Sequence, residues 1–452
     1  GSTGNISTSN RPAININTGV INVNHTSVSM FGGAANGIII QNTTGSFTVN
    51  GTGVADSGGV ITNTTGDGIL LNNVTNINLN WMRIEDSLGN GIYGTLVNSL
   101  NLGNVRIIDN GDSDVDNEAG IHLLNLLGIS TWNSIEVAES FEDSIRVINS
   151  GTNNLAQLTL SNSIVRDNSP ASPGNNGILV EANGTNTVTV DITNTQFLRN
   201  RANGVQVNTN NAGSADVEVR NSTFTNNNIG VNLAHNGSGT FFFDVVNNNI
   251  IASVVNTLAS PININLAAFG NIMDGNVIGN TLDNNNSPTG PGMRILGNGS
   301  VNGVLSILIQ NNTISEIGNR GIEVIARDGN SRINATIHGN TVTLADPLSA
   351  DAIRVDAGAT NTDTTTICAD FNGDNIGANR NNATTIAGLY GIRIRQRFAG
   401  TTYILEDYAG AANNMAAVQA FLDARNTLNP VSLADFAGAG FTTIADCPMP
   451  IP

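Results

Sequence analysis

One short apolar pattern recurs along this chain at a spacing no ordinary globular domain keeps. Residues 176–180 read NGILV, with Gly177 ahead of Ile178 and Val180. The same shape returns at Ile38/Ile40, Ile69/Leu71, Ile121/Leu123, Ile145/Val147, Val205/Val207, Val231/Leu233, Ile262/Ile264, Met293/Ile295, Ile322/Val324, Ile353/Val355 and Ile392/Ile394, with Ile92 a weaker member. Each is a brief alternating strand, usually opened by Gly. Copies lie about 23–39 residues apart, averaging near 30, a period that signals a stacked repeat.

Within a repeat, a polar bend and a second alternating strand follow, as in 187–192 (TVTVDI) and 305–309 (LSILI). A five-residue pattern comes next: 161–165 (SNSIV), 193–197 (TNTQF), 220–224 (RNSTF), 246–250 (VNNNI), 278–282 (IGNTL), 310–314 (QNNTI) and 338–342 (HGNTV). Its second position holds Asn162, Asn194, Asn221, Asn247, Gly279, Asn311 and Gly339. Asn and Gly are the residues that best tolerate left-handed backbone, so this position is predicted to be a tight bend. The fifth residue turns back inward and opens a third strand.

Three strands per coil, stacked like over like at about 4.8 Å, give about thirteen coils and a rod on the order of 60 Å long. The Ile/Val/Leu rows become the core, and stacked Asn side chains are expected to bond up and down the bend. Residues 1–35, with strand-forming 13–23 (AININTGVINV), read as a lead-in covering one end. The solenoid is expected over 36–398. Residues 399–452 are assigned to a C-terminal capping unit with one amphipathic helix in 410–426, where Met415, Val418, Phe421 and Leu422 fall near helical spacing and Pro430 follows.

The Gly-led strand, the Asn/Gly bend and the period together resemble the right-handed parallel β-helix of the pectin-lyase-like superfamily. The likeness covers about residues 36–398. It implies an all-β solenoid with a small C-terminal α/β cap, but no single function, because the scaffold serves lyases, hydrolases, tailspikes and adhesins alike. Residues 391–447 are similar to a terminal unit found after β-helices in large, repetitive, secreted bacterial proteins. Two cysteines near one end fit either a single disulfide in an oxidising compartment or two buried thiols. In the terminal unit a Cys before it faces one at its end, and Cys368 and Cys447 match those places, which implies that they pair.

Composition narrows the function classes. The formal net charge is −17, all 18 basic residues are Arg, charged residues make up 12%, and about one residue in six is Asn. An acidic chain without a basic patch is a poor nucleic-acid binder and is repelled by anionic membranes. No apolar run approaches the length of a membrane span. Opening on Gly1 and a polar segment, the chain reads as a mature or trimmed form.

For chemistry, the strongest acidic group is Asp112, Asp114, Asp116 and Glu118 in the insertion 109–118 (DNGDSDVDNE), with Asp109 upstream. Alternate carboxylates in a loop can converge on Ca²⁺, which takes six to eight oxygens; the competing reading is a solvated acidic patch. A second run is Glu136, Glu139, Glu142 and Asp143, and a partial Ca²⁺-loop spacing is Asp370, Asn372 and Asp374. With Arg146 or Arg166 as base, the first group could imitate a Ca²⁺-dependent polysaccharide lyase. The settings of His25, His122, His235 and His338 and the absence of Lys argue strongly against a polygalacturonase-like site. Trp81 and Trp132 suit either a small sugar-stacking surface or end-packing. The outward row of the first strand shows no crowded acids, and its tail, Arg294, Glu323 and Arg354, reads as a surface charge ladder.

The expectation is a non-enzymatic extracellular rod at a bacterial surface or in a secreted matrix. It acts as a stalk, adhesin segment, self-assembling filament or surface-layer subunit, and its partners are other copies or surface polysaccharide. The alternative is a Ca²⁺-dependent polysaccharide lyase.

Overall fold

The computed structural model describes residues 4–33, 35–113, 117–168, 175–252, 260–284, 290–299, 301–344, 351–371, 379–382, 390–426, 432–444 and 446–450. Its contacts divide the chain into two compact units, Gly1–Asn208 with Gly213–Asp216, and Thr209–Ala212 with Val217–Pro452. Each is a parallel β-helical stack.

In the first unit the recurring apolar residues lie directly over one another. The register runs Ile38, Ile69, Ile92, Ile121, Ile145, Ile178, and each is at most 1% exposed. In the second it runs Val231, Ile262, Met293, Ile322, Ile353, Ile392, all fully buried. Burial of such a side chain stabilises by about 1.5–3 kcal/mol, and the column repeats it at every coil. The opening Gly has a packing reason. A Cβ on Gly68 would sit 2.5 Å from Ile84 Cγ2 and 2.7 Å from the Gly91 carbonyl; on Gly292 it would meet Ile314 Cγ2 at 2.6 Å. The coil closes there too tightly for a side chain.

Early coils differ from the three-strand expectation. Ile38–Val49, Ile69–Asn80, Ile92–Gly103 and Ile121–Asn133 each run the first and second strands together. Left-handed residues such as Asn42, Asn73 and Asn125 turn the backbone without breaking the ladder. From Ile145–Gly151 onward the two strands separate. A further parallel sheet holds the third strands. In the first unit these are Asn5–Ser9, Ser27–Phe31, Gly59–Thr62, Met82–Glu85, Arg106–Ile108, Glu136–Ala138, Ile164–Arg166 and Gln196–Leu198.

The seven bend residues have φ of 52° at Asn162, 50° at Asn194 and Asn221, 56° at Asn247, 68° at Gly279, 55° at Asn311 and 66° at Gly339. A β-branched residue there would be strained by about 1–3 kcal/mol.

The continuous amide column is not at the bend but one residue beyond it, inside the coil. Asn248, Asn280, Asn312, Asn340 and Asn379 are each at most 1% exposed. Each of the first four donates its Nδ2–H to the next one's Oδ1, at 3.0, 3.0, 2.9 and 3.3 Å. That same oxygen accepts the backbone N–H of the preceding Asn, at 2.9, 2.9, 3.0 and 3.3 Å. The second Nδ2 hydrogen goes to the carbonyls of Val219, Val245, Val277 and Ile309. From Asn248 to Asn379 each of these turns is thus tied twice to the next through a buried amide whose own polar atoms are bonded.

Both ends belong to the stack. Ile14–His25 pairs in parallel with Ile38–Val49 from Ile14↔Ile38 to His25↔Val49, so the lead-in is itself a coil. Beyond residue 398, Ser432–Phe436 pairs with Tyr390–Gln396 and Phe441–Ile444 with Thr402–Glu406. The capping unit therefore continues the ladder. Its helix, Met415–Asp423, is capped by Asn414 and buries Val418 and Leu422, whereas Met415 is 46% exposed. Among the described residues no helix is long and apolar enough to cross a membrane. Cys368 and Cys447 form a disulfide with Cα atoms 5.7 Å apart, tying the strand Thr366–Asp370 to the chain beyond Phe441–Ile444.

Candidate functional site

The acidic insertion follows the strand Arg106–Ile108 and precedes Ile121–Asn133. Asp114 and Asp116 lie outside the described residues. Of the other two, Glu118 is only 7% exposed, and its Oε2 accepts the backbone N–H groups of Asp112 at 2.6 Å and Ser113 at 2.8 Å. This carboxylate latches its own loop instead of facing outward. Among the described residues no group of three or more His, Cys, Asp or Glu is placed to hold a metal ion. In the 370–374 segment, Asn372 and Asp374 are outside the described residues, and Asp370 is buried.

Three members of the second acidic run, Glu136, Glu139 and Asp143, pair with arginine. Glu136 sits in register with Arg106 on one neighbouring coil, which it meets at 3.3 Å, and takes Arg166 from the other at 2.7 Å. Arg166 also reaches Glu139 at 3.3 Å and Asp167 at 2.6 Å, and Asp167 in turn holds Arg199 at 2.5 Å. Arg83 adds Asp56 and Glu85, at 3.2 and 2.8 Å. The result is a ladder of alternating charge running from coil to coil across one face of the first unit. Hydrogen bonding to Asp167 and Glu136 raises the Arg166 pKa, which keeps the guanidinium charged and unsuited to act as a base.

The outward row of the first strand brings Tyr93, His122 and Arg146 together on successive coils. The Tyr93 and His122 rings meet edge to face at 5.3 Å. His122 is 7% exposed; burial, with Arg146 beside it, pulls its pKa down to about 4, so the ring is neutral at pH 7. Arg146 pairs with Asp143 at 3.0 Å, and Asp143 also accepts the N–H of Asn176 at 2.7 Å. The sequence places these three residues in one row but gives no sign that an outward His would be buried.

In the second unit the expected Arg–Glu–Arg ladder is rearranged. Glu323 is buried and pairs with Arg294 at 3.2 Å and with Arg320. Arg354 turns instead to Asp356 at 2.9 Å, which Arg395 also holds. Of the two Trp residues, Trp132 is fully buried and donates its Nε1–H to the Leu100 carbonyl at 3.0 Å, so it presents no surface to a sugar. Trp81 is half-buried in a bend with φ of 58°.

A titrating group lies beside the disulfide. Glu406 Oε2 accepts the Cys447 N–H at 2.5 Å. Burial, reinforced by Asp370, Asp407 and Asp446, pushes its carboxyl up to about 7 in spite of that bond. Burial likewise raises Asp356 to about 6 against the pull of Arg354. A carboxyl raised on folding stabilises fully below its unfolded pKa, and that contribution is lost as pH rises through the folded value. The thermal midpoint of the C-terminal coils is therefore expected to be higher at pH 5 than at pH 8. Glu406→Gln should remove the part of that slope near pH 7 and leave the Asp356 part. A midpoint that rises with pH over this window would contradict the assignment.

No family model, curated protein or solved structure matches this chain.

Proposed function

We propose that the chain is a non-catalytic structural or adhesive stalk element exposed on a bacterial cell, a β-helix of the pectin-lyase-like kind put to mechanical use. The observation that carries this reading is the fate of the reactive side chains. Glu136, Arg166 and Asp167 are spent in ion pairs that run from coil to coil, and Glu118 closes its own loop. Groups with those partners hold a scaffold in shape; they are not left available to meet a substrate. The disulfide between Cys368 and Cys447 favours an oxidising, extracellular setting. A strand edge supports association with further copies: among the described residues, Ile14–His25 is bonded along one side, by Ile38–Val49. The test of location is access from outside. A non-permeant antibody or protease added to intact source cells should reach the chain before lysis. Signal that appears only after lysis would overturn the surface assignment.

A further inference from the structure

The second unit carries an exposed aromatic side chain that its core does not need. Phe269, in the turn after Ser260–Leu266, is 75% exposed. It borders a cleft of about 570 Å³ lined otherwise by Asn210, Asn211, Asn236 and Ser238. The volume falls within the roughly 300–1,000 Å³ range of small-ligand sites. Three successive coils build it. Asn210 and Asn211 end the strand Asn203–Asn211, Asn236 lies near the end of Ile229–Gly237, and the turn carrying Phe269 follows on the next coil.

The turn is held by the coil beneath it. Asn236 Oδ1 accepts the Phe269 N–H at 3.3 Å, the Gly270 N–H donates to Ala267 O at 2.9 Å, and Ala267 N–H donates to His235 O at 2.8 Å. The ring is therefore presented on a fixed turn. At the mouth of a cleft, a flat aromatic face is the surface on which the C–H face of a pyranose stacks. Amide and hydroxyl groups around it match the donor and acceptor pattern of sugar hydroxyls.

Charge selects the class of sugar. None of the five lining residues is charged, and the chain as a whole carries −17. A uronate would meet no guanidinium here and would be repelled by the long-range field.

We propose that the cleft around Phe269 binds a segment of a neutral glycan, with Phe269 stacking on one sugar ring and the surrounding Asn and Ser groups bonding its hydroxyls. This rests on the adhesive form of the function proposed above; its failure would leave the stalk reading standing, because that reading depends on the ion-pair ladder of the other unit.

The test is titration of the intact chain with cellohexaose, laminarihexaose and mannohexaose, with hexagalacturonate as the acidic counterpart, followed by calorimetry. At least one neutral hexasaccharide is expected to bind with Kd on the order of 0.1–1 mM. Phe269→Ala, at a position exposed enough to leave the melting temperature unchanged, should weaken it at least about tenfold, and Phe269→Tyr should retain it. Binding of none of the three neutral probes overturns the proposal. Equal affinity in Phe269→Ala, or preference for hexagalacturonate, does so too.

Discussion

Replacing Asn280 by leucine is expected to lower the stability of the second unit by about 3–6 kcal/mol. The change removes the partner of the Val245 carbonyl, of the Asn248 N–H and of one Asn248 Nδ2 hydrogen, and it takes from Asn312 Oδ1 its side-chain donor while leaving the backbone N–H of residue 280 in place. A buried donor or acceptor stranded in this way costs about 1–3 kcal/mol, and several are stranded at once. Leucine fills the volume, so the loss is polar and not a cavity effect. The control is Asn276→Leu, on the strand Ile272–Ile278, where the lost bond is a single, part-buried one to Asp244. Because solenoid coils depend chiefly on their neighbours, unfolding is best followed by native-state hydrogen exchange of residues 245–312 along a urea series. Equal protection in the two variants would show that the interior column does not hold the coils together.

Loss of the disulfide is expected to destabilise the terminal coils by up to about 4.5 kcal/mol, the chain-entropy value for a loop of this length. Cys368 and Cys447 are 79 residues apart and at most 3% exposed. The bridge anchors the chain after Phe441–Ile444 to the core strand Thr366–Asp370, next to the bond from Cys447 N–H to Glu406. The double variant Cys368→Ser, Cys447→Ser should melt the C-terminal coils well below the rest, and reductant should reproduce this only after local opening exposes the buried sulfurs. Thiol labelling of the unfolded, unreduced chain should find nothing. Two reactive thiols, or an unchanged melting profile in the double variant, would remove the bridge from the account.

Much of the architecture was legible because the period is a physical stacking rule. Apolar residues spaced near 30 apart land on one another, and Ile38, Ile69 and Ile92 do so in register. The bend positions were legible for the same reason, since a left-handed residue must recur at each coil. The interior Asn column was not. In VNNNI and QNNTI two or three Asn residues stand in a row, and composition cannot say which one points inward; burial assigns Asn248 and Asn312 to the inside and leaves Asn247 and Asn311 at the bend. The charge ladder could have been read. Arg106 and Glu136 are 30 residues apart, and so are Glu136 and Arg166, a full coil each time. Reading Glu136, Glu139, Glu142 and Asp143 as one local run hid partners that stand one turn above and below. The cleft at Phe269 offered no periodic signal, because it lies in a turn where the repeat is interrupted.

The most direct measurement is depolymerisation of acidic polysaccharides. Purified chain is incubated with polygalacturonate and with alginate, with Ca²⁺ and with chelator, and unsaturated product is followed by its ultraviolet absorbance. A scaffold whose Arg166 is held between Glu136 and Asp167 and whose Glu118 closes its own loop is expected to give no product above the enzyme-free blank under either condition. Product that grows with chain concentration, requires Ca²⁺ and disappears in Arg166→Ala or Arg146→Ala would contradict the structural reading and establish a lyase.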